Sequence, residues 1–208
     1  RLTTVTGVQT CALPISLDEV RFETITNTEG LSHNTVRHIM QDKRGFMWFS
    51  TVNGLSRYDG HKFIVLQPNF EENSLSESNI RKSFKDNNEH IWVQTSSRSM
   101  HCYDTQTESF INVFSQPGAN NFSRMEMLPN GNVWLWGRKN GACRISYDDK
   151  NIPTTQTFDI NTIGTNSVAF VLSDSNGQVW IGTNKGLIQL IDGAPIFCNT
   201  NNIHYRSE

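Results

Sequence analysis

The chain has 208 residues, 18 Lys and Arg against 20 Asp and Glu, and a net charge of −2. No basic surplus points to nucleic acid, and no run of 18 apolar residues encodes a membrane helix. Only 18% of residues are charged, and Asn, Ser and Thr abound, as suits turn-rich β-structure.

Residues 1–16 give no periodic pattern and are set aside as a leader, and residues 17–30 read as a short strand, Arg21–Thr26, and a linker. The first clear element follows as Val36–Gln41, a turn Asp42-x-x-Gly45, and a strand holding Trp48. Asp first and Gly fourth suit a type I turn. Asn53-Gly54 then marks a hairpin, predicted as type I′, in which both central residues need φ > 0. A third strand ends at Tyr58-Asp59, and Lys62–Leu66 reads as a looser outer strand. One unit is therefore a four-stranded antiparallel sheet.

The unit recurs. Trp48, Trp92, Trp134 and Trp180 follow one another at gaps of 44, 42 and 46 residues. A period in the forties built of strands marks a β-propeller. The fourth copy is as clear as the first: Asp174-x-x-Gly177, Trp180, then Asn184-Lys185-Gly186. In the second, Asn87-Asn88-Glu89 replaces the Gly turn and Ser97-Arg98-Ser99 replaces Asn-Gly. The third has Pro129-Asn130-Gly131 before Trp134 and an extra residue before Gly141 in Trp136-Gly137-Arg138-Lys139-Asn140, read as a longer turn or bulge. The predicted blades are residues 31–73, 74–116, 117–161 and 162–205. The fold class is all-β: a partial, open propeller of four four-stranded blades.

The repeated positions Asp42, Gly45, Trp48, Gly54, Trp92, Trp134, Asp174, Gly177, Trp180 and Gly186 read as structural. A blade cannot bury its own apolar face, so a Trp at the same place in each fills the gap to its neighbour. Trp136 breaks the repeat and is the one candidate for stacking on a sugar. The innermost strands, expected over 35–41, 79–85, 121–127 and 167–173, would line the channel. Their starting ends place Asn34, Arg37, Asn79, Arg81 and Arg124 near its mouth as candidate ligand-binding residues. An Arg fork suits carboxylate or sulfate.

Catalysis finds little support. Asp42, Asp86 and Asp174 repeat blade by blade, as turn formers do, rather than forming a glycosidase pair. Sialidase-type turns fail at Ser175 and Val179. The six His and four Cys show no metal spacing, and Cys102 and Cys143 read as buried fillers. No metal, cofactor or nucleic-acid partner is expected.

Gly30–Val36, Gln41-Asp42-x-x-Gly45-Phe46-Met47-Trp48, Thr51-x-Asn53-Gly54-Leu55-Ser56-Arg57-Tyr58-Asp59-Gly60 and Asp174-x-x-Gly177-x-x-Trp180-Ile181-Gly182-Thr183-x-x-Gly186-Leu187 together resemble the two-component regulator propeller repeats. These build the sensor region of hybrid two-component histidine kinases. The resemblance implies a periplasmic segment of an inner-membrane receptor, four blades of a ring of about seven. It implies an oligosaccharide ligand, a second propeller and the rest of the receptor as partners, a homodimer, and a kinase outside this segment. It also implies that the strand near residue 21 stands beside blade one or unpaired. A propeller lyase or glycosidase and a protein-interaction scaffold are the competing readings. Val5 to Ile15 resembles the translation of a sequencing adapter, and Arg206-Ser207-Glu208 that of its reverse complement. On that reading residues 1–16 are not native, the chain is a gene fragment, and the leader packs on nothing.

Overall fold

Every blade starts from one turn, and the turn explains the six-residue step from Asp to Trp. The computed structural model describes residues 22–69, 73–114 and 122–198. The expectations for residues 1–16 and 206–208 lie outside them. In the first blade the Asp42 amide donates to the Phe46 carbonyl and the Gly45 amide to the Asp42 carbonyl, at 3.1 and 3.0 Å. Oδ1 of Asp42 accepts the Arg44 and Phe46 amides at 2.9 and 3.0 Å, while Oδ2 accepts the indole N–H of Trp48 at 3.0 Å. Asp86 repeats this with Asn88, His90 and Trp92, and Asp174 with Asn176, Gln178 and Trp180. One carboxylate thus closes the turn and aims the Trp of the next strand.

The strands follow in chain order. Blade one holds β1 Val36–Gln41, β2 Met47–Thr51, β3 Gly54–Tyr58 and β4 Phe63–Leu66. Blade two holds β5 Ile80–Lys85, β6 His90–Thr95, β7 Met100–Asp104 and β8 Ser109–Ile111. Blade three holds β9 Arg124–Met127, β10 Val133–Gly137, β11 Gly141–Tyr147 and β12 Pro153–Phe158. A capped helical turn, α1 Ile160–Ile163, leads to blade four: β13 Val168–Ser173, β14 Val179–Thr183, β15 Gly186–Ile191 and β16 Ala194–Cys198. Each sheet is an antiparallel meander of four sequential strands. Phe22–Thr26 form no strand; Phe22 is 92% exposed, and the Thr26 side chain caps a 3-10 turn over Asn27–Glu29.

The hairpin after the Trp strand differs from the Asn-Gly expectation. Gly54 has φ 115°, but Asn53 is not at positive φ. The turn is therefore not type I′; Gly54 alone takes the left-handed geometry, as the residue of a G1 bulge does. The Thr51 hydroxyl explains the switch: it accepts the Asn53 amide at 2.9 Å and donates to the Gly54 carbonyl at 3.1 Å. Thr183 treats Lys185 and Gly186 alike. A Cβ on Gly54 would come within 2.6 Å of the Leu66 carbonyl, so glycine is required there on two counts.

The cores lie between blades, not within them. Trp48, Leu55, Leu75, Ile80, Ile91, Val93 and Tyr103 form the seam of blades one and two. Trp92, Met100, Met125, Val133, Leu135 and both Cys102 and Cys143 form the next. These thiols are buried and free, as expected. Trp134, Phe158, Ile163, Val171, Ile181 and Ile188 form the third. Trp48, Trp92 and Trp134 thus each face the following blade. Trp48, Trp92 and Trp134 are fully buried, whereas Trp180 is only half-buried. A buried Trp removes 150–250 Å² from water, worth about 4–6 kcal/mol before entropy.

Blade three lacks the clamp. Leu128 stands where the others have Asp, and the Trp134 indole N–H, though fully buried, has no partner. Its turn still closes, Leu128 amide to Asn132 carbonyl at 2.8 Å, and Trp134 stacks on Phe158 at 5.4 Å. Trp48→Phe is therefore expected to cost about 1–2 kcal/mol more than Trp134→Phe, because only the first strands a buried carboxylate. Denaturant unfolding of both variants checks this; equal losses would contradict it.

Among the described residues the arc is open. Phe170, Leu172, Leu187, Ile191 and Ile196 are each 37–44% exposed on the same face as Trp180. An apolar sheet face of that kind associates. The 208-residue chain alone is expected to self-associate at micromolar concentration, and Leu172→Lys to weaken that association. A monodisperse monomer in sedimentation velocity would refute the expectation.

Candidate functional site

The two ends of the channel differ chemically, and the difference starts with strand direction. Inner strands run away from one face, and antiparallel pairing brings the β2–β3 type hairpins back to that same face: Val36 pairs Thr51, Ile80 pairs Thr95, Arg124 pairs Trp136 and Val168 pairs Thr183. This face is the mouth. A bulge interrupts β1 between Val36 and His38, β5 between Ile80 and Lys82, and β13 between Val168 and Phe170. The intervening residues are Arg37, Arg81 and Ala169. Such bulges re-aim side chains at sheet rims.

Seams tie the mouth together. The Gly54 amide donates to the Ser78 carbonyl and the Gly141 amide to the Asn166 carbonyl, both at 2.8 Å. Between blades two and three, the Gln94 side-chain amide donates to the Phe122 carbonyl at 2.9 Å. Inside this frame a cavity of about 680 Å³ spans blades two, three and four, walled by Ser97, Arg98, Ser123, Arg124, Arg138 and Asn140 over Trp136, Val168 and Ala169. A second, of about 420 Å³, shares Arg98, Ser123 and Arg124 and adds Arg81, Lys82, His38 and Glu126.

The structure brings together Arg81, Arg124 and Trp136 from the sequence-predicted set. It leaves out the others. Asn34 is exposed, and its side-chain oxygen accepts the Asn27 amide at 2.7 Å, pinning the segment before β1. Arg37 is exposed on its bulge, outside both cavities. The Asn79 carbonyl accepts the Ser96 amide at 2.9 Å, while its own side-chain oxygen is buried without a partner. Trp136 is 4% exposed and donates its indole N–H to the Ala169 carbonyl at 3.2 Å. Its ring is a seam residue and only borders the cavity, so it offers no open face for stacking. Arg98, Arg138 and Lys139 were missed. The signal was there: basic residues stand in the two hairpins that depart from Thr-x-x-Gly.

At the opposite face, acids and bases pair across the first seam. Glu89 accepts the Lys43 amide at 2.9 Å and the Lys85 ammonium at 2.6 Å. Glu108 takes Arg44 and Arg57 at 2.9 and 2.6 Å, and Arg57 lies over the Phe46 ring. Glu89 itself occupies the left-handed turn position, φ 67°, where the other blades have Gly45, Gly131 and Gly177. The second copy thus keeps the turn without its glycine, and its side chain joins blades one and two.

A further joint links blades two and three. Tyr147 donates its hydroxyl to the Asp86 carboxylate in a very short contact, and its ring stacks on His90 at 5.2 Å. His90 is fully buried; its Nδ1 lies 3.7 Å from Asp86 Oδ1, too long for a hydrogen bond. Burial pushes the Asp86 pKa up, but the His90 ring and the Tyr147 and Trp92 donors outweigh it, leaving the carboxyl below the ordinary range. Burial drives the Tyr147 phenol up, with Asp86 adding to it, and burial lifts the Cys143 thiol to about 12. His101 is lowered to about 4, chiefly by burial, and its Nε2 lies 3.0 Å from the Ser76 hydroxyl. Cys143 and Tyr147 therefore stay protonated near neutral pH, and Asp86 stays ionised. Asp42, Asp86 and Asp174 spend both oxygens on their turn and their Trp, so none offers a free catalytic carboxylate. Among the described residues no group of His, Cys, Asp and Glu could hold a metal.

Comparison with known proteins agrees with this architecture. Residues 30–53 and 162–185 match the family described as two component regulator propeller. Over 53 residues, 26% of the chain, it is 40% identical to Histidine kinase P4 of Formosa agariphila, of which it covers 4%. A solved extracellular domain assigned to the hybrid two component system BT3049 of B. thetaiotaomicron superposes with a TM-score of 0.59 at 21% identity, over 86% of this chain and 26% of that one. A second, assigned to system BT4673 of the same organism, gives 0.53 at 20% identity, over 88% and 28%. The chain therefore spans about a quarter of those solved chains. At such identity the likeness establishes the propeller fold.

The depressed Asp86 pKa contributes stability that is complete above the ordinary carboxylate range, near pH 4, and is lost as pH falls through the folded value. Asp86→Asn should therefore flatten the decline in melting temperature between about pH 5 and pH 3. An unchanged slope in that variant would remove Asp86 from the acid response.

Proposed function

We propose that this chain of two-component regulator propeller repeats is the ligand-sensing segment of an extracytoplasmic receptor that recognises an oligosaccharide. The signal would pass to a histidine kinase elsewhere in a longer chain. The carrying observation is the mouth cavity. Its volume, about 680 Å³, suits a ligand of a few sugar rings. Its walls supply hydroxyl, amide and guanidinium groups from Ser97, Ser123, Asn140 and Arg124 over a small apolar floor of Val168 and Ala169. That mixture fits a hydroxyl-rich molecule, whose many donors and acceptors must all be paired when water leaves.

The site also crosses two seams. A ligand held by blades two, three and four would stiffen their mutual packing, which is how binding could bias a receptor's two states. The kinase-named relative and the extracellular neighbours support this sensing role and a place outside the cytoplasm. Catalysis would belong to other parts of the receptor, since among the described residues no activated nucleophile or free paired carboxylate stands at the mouth. A second propeller and a homodimeric arrangement complete the proposal.

Isothermal titration of the receptor chain carrying these blades against a panel of oligosaccharides tests it. At least one oligosaccharide should bind, and Asn140→Trp, which fills the cavity from an exposed loop, should abolish that binding. Absence of any binding, or binding indifferent to Asn140→Trp, would sink the reading.

A further inference from the structure

Both mouth cavities are crowded with positive charge. They are lined by six Lys and Arg side chains, Arg81, Lys82, Arg98, Arg124, Arg138 and Lys139, and by one carboxylate, Glu126. Lys82 is held by the Met125 carbonyl at 2.8 Å. Among the described residues the other five take part in no ion pair; the paired cations, Lys43, Arg44, Arg57 and Lys85, meet Asp42, Glu89 and Glu108 at the opposite face. The acids that pair Lys and Arg stand at the other face, while at the mouth Glu126 borders the second cavity and Glu77 accepts the Ser97 amide at 2.6 Å. Like charges gathered in a concave wall repel one another and raise the local concentration of anions.

The backbone points the same way. The mouth hairpins of blades one and four are Thr51-x-x-Gly54 and Thr183-x-x-Gly186, with glycine φ of 115° and 124°. Blade two keeps the turn, with the Arg98 amide donating to the Thr95 carbonyl at 3.0 Å, but holds Arg98 at φ 74°. Any residue with a Cβ is disfavoured there, and glycine would be the easier choice. Strain is thus accepted at a position whose side chain borders both cavities.

We infer that this cavity takes an anionic group, a sulfate ester or a carboxylate, with Arg98 and Arg124 as its principal partners because they alone among the cations border both cavities. The planar guanidinium fork matches the oxygens of either group bidentately. For a sugar bearing that group, the inference rests on the sensing reading above; for the anion itself, it rests on the cavity.

The test titrates the receptor chain with a sulfated oligosaccharide, the same oligosaccharide after desulfation, and sodium sulfate alone, at low and high NaCl. The sulfated sugar should bind at least about tenfold more tightly than its desulfated form, and added salt should narrow the gap. Arg124→Ala and Arg98→Gly should each weaken the sulfated sugar roughly tenfold, the worth of one charge-assisted contact, and weaken the desulfated sugar far less. Arg98→Gly should at the same time raise the melting temperature, which shows that the loss is not unfolding. Equal affinity for the two sugars, or sulfated binding indifferent to both substitutions, would overturn the anion site and leave the sensing reading standing. Sulfate bound through Arg98 and Arg124 with neither sugar bound would support the anion site and overturn the oligosaccharide.

Discussion

The bond between a turn carboxylate and a Trp indole governs this fold. Asp42, Asp86 and Asp174 each place one oxygen on two turn amides and the other on an N–H six residues ahead. In these three blades the carboxylate that closes the turn also aims the Trp. Local structure and inter-blade packing become one event. Because the indole is carried to the next blade's face, the clamp also sets the spacing between sheets. A hydrogen bond to a charged acceptor is worth about 1.5–3 kcal/mol net, a small sum beside the apolar area it orients.

That clamp sorts the chemistry of the two faces. At the turn face, the clamp carboxylates are already committed, and Glu89 and Glu108 pair Lys43, Arg44 and Arg57 across the first seam. At the mouth, backbone bonds such as Gly54 to Ser78 carry part of the seams, with the Gln94 and Lys82 side chains joining blades two and three. Arg98, Arg124, Arg138 and Lys139 take part in no ion pair there among the described residues. A site forms where the scaffold does not need the residues.

The architecture was legible in the chain because its cause repeats. Asp, Gly and Trp recur at fixed offsets, so the period names the fold and the Trp residues reveal their packing role. The turn type of Asn53-Gly54 was not legible, because the Thr51 hydroxyl two residues earlier decides it and a dipeptide rule does not see that hydroxyl. The Trp bond of the Asp residues was hidden in plain spacing: six residues separate them, yet only the fold shows that the extra oxygen is spent there. For the site, sequence placed Arg81 and Arg124 by their position on inner strands. Arg98, Arg138 and Lys139 come from hairpins of other strands, and only antiparallel pairing returns those to the same mouth. Trp136 shows the converse. A residue that breaks a repeat need not be free, and here it donates to Ala169 and fills a seam.

Blade three joins these threads. It is the blade with Leu128 in place of the clamp, an unpartnered Trp134 N–H, and the lengthened hairpin that carries Arg138 and Lys139. Its joint to blade two runs through that neighbour's clamp: Tyr147 reaches the Asp86 carboxylate, and Asn151 donates to the Asn88 carbonyl at 3.2 Å. Blade three is thus fastened through its neighbour's clamp rather than its own, at the face away from the mouth. A departure from local consistency in a repeat array is where function is most often built. In this array the departures coincide: the seam that gives up a polar clamp is also the one whose mouth opens into the basic cavity.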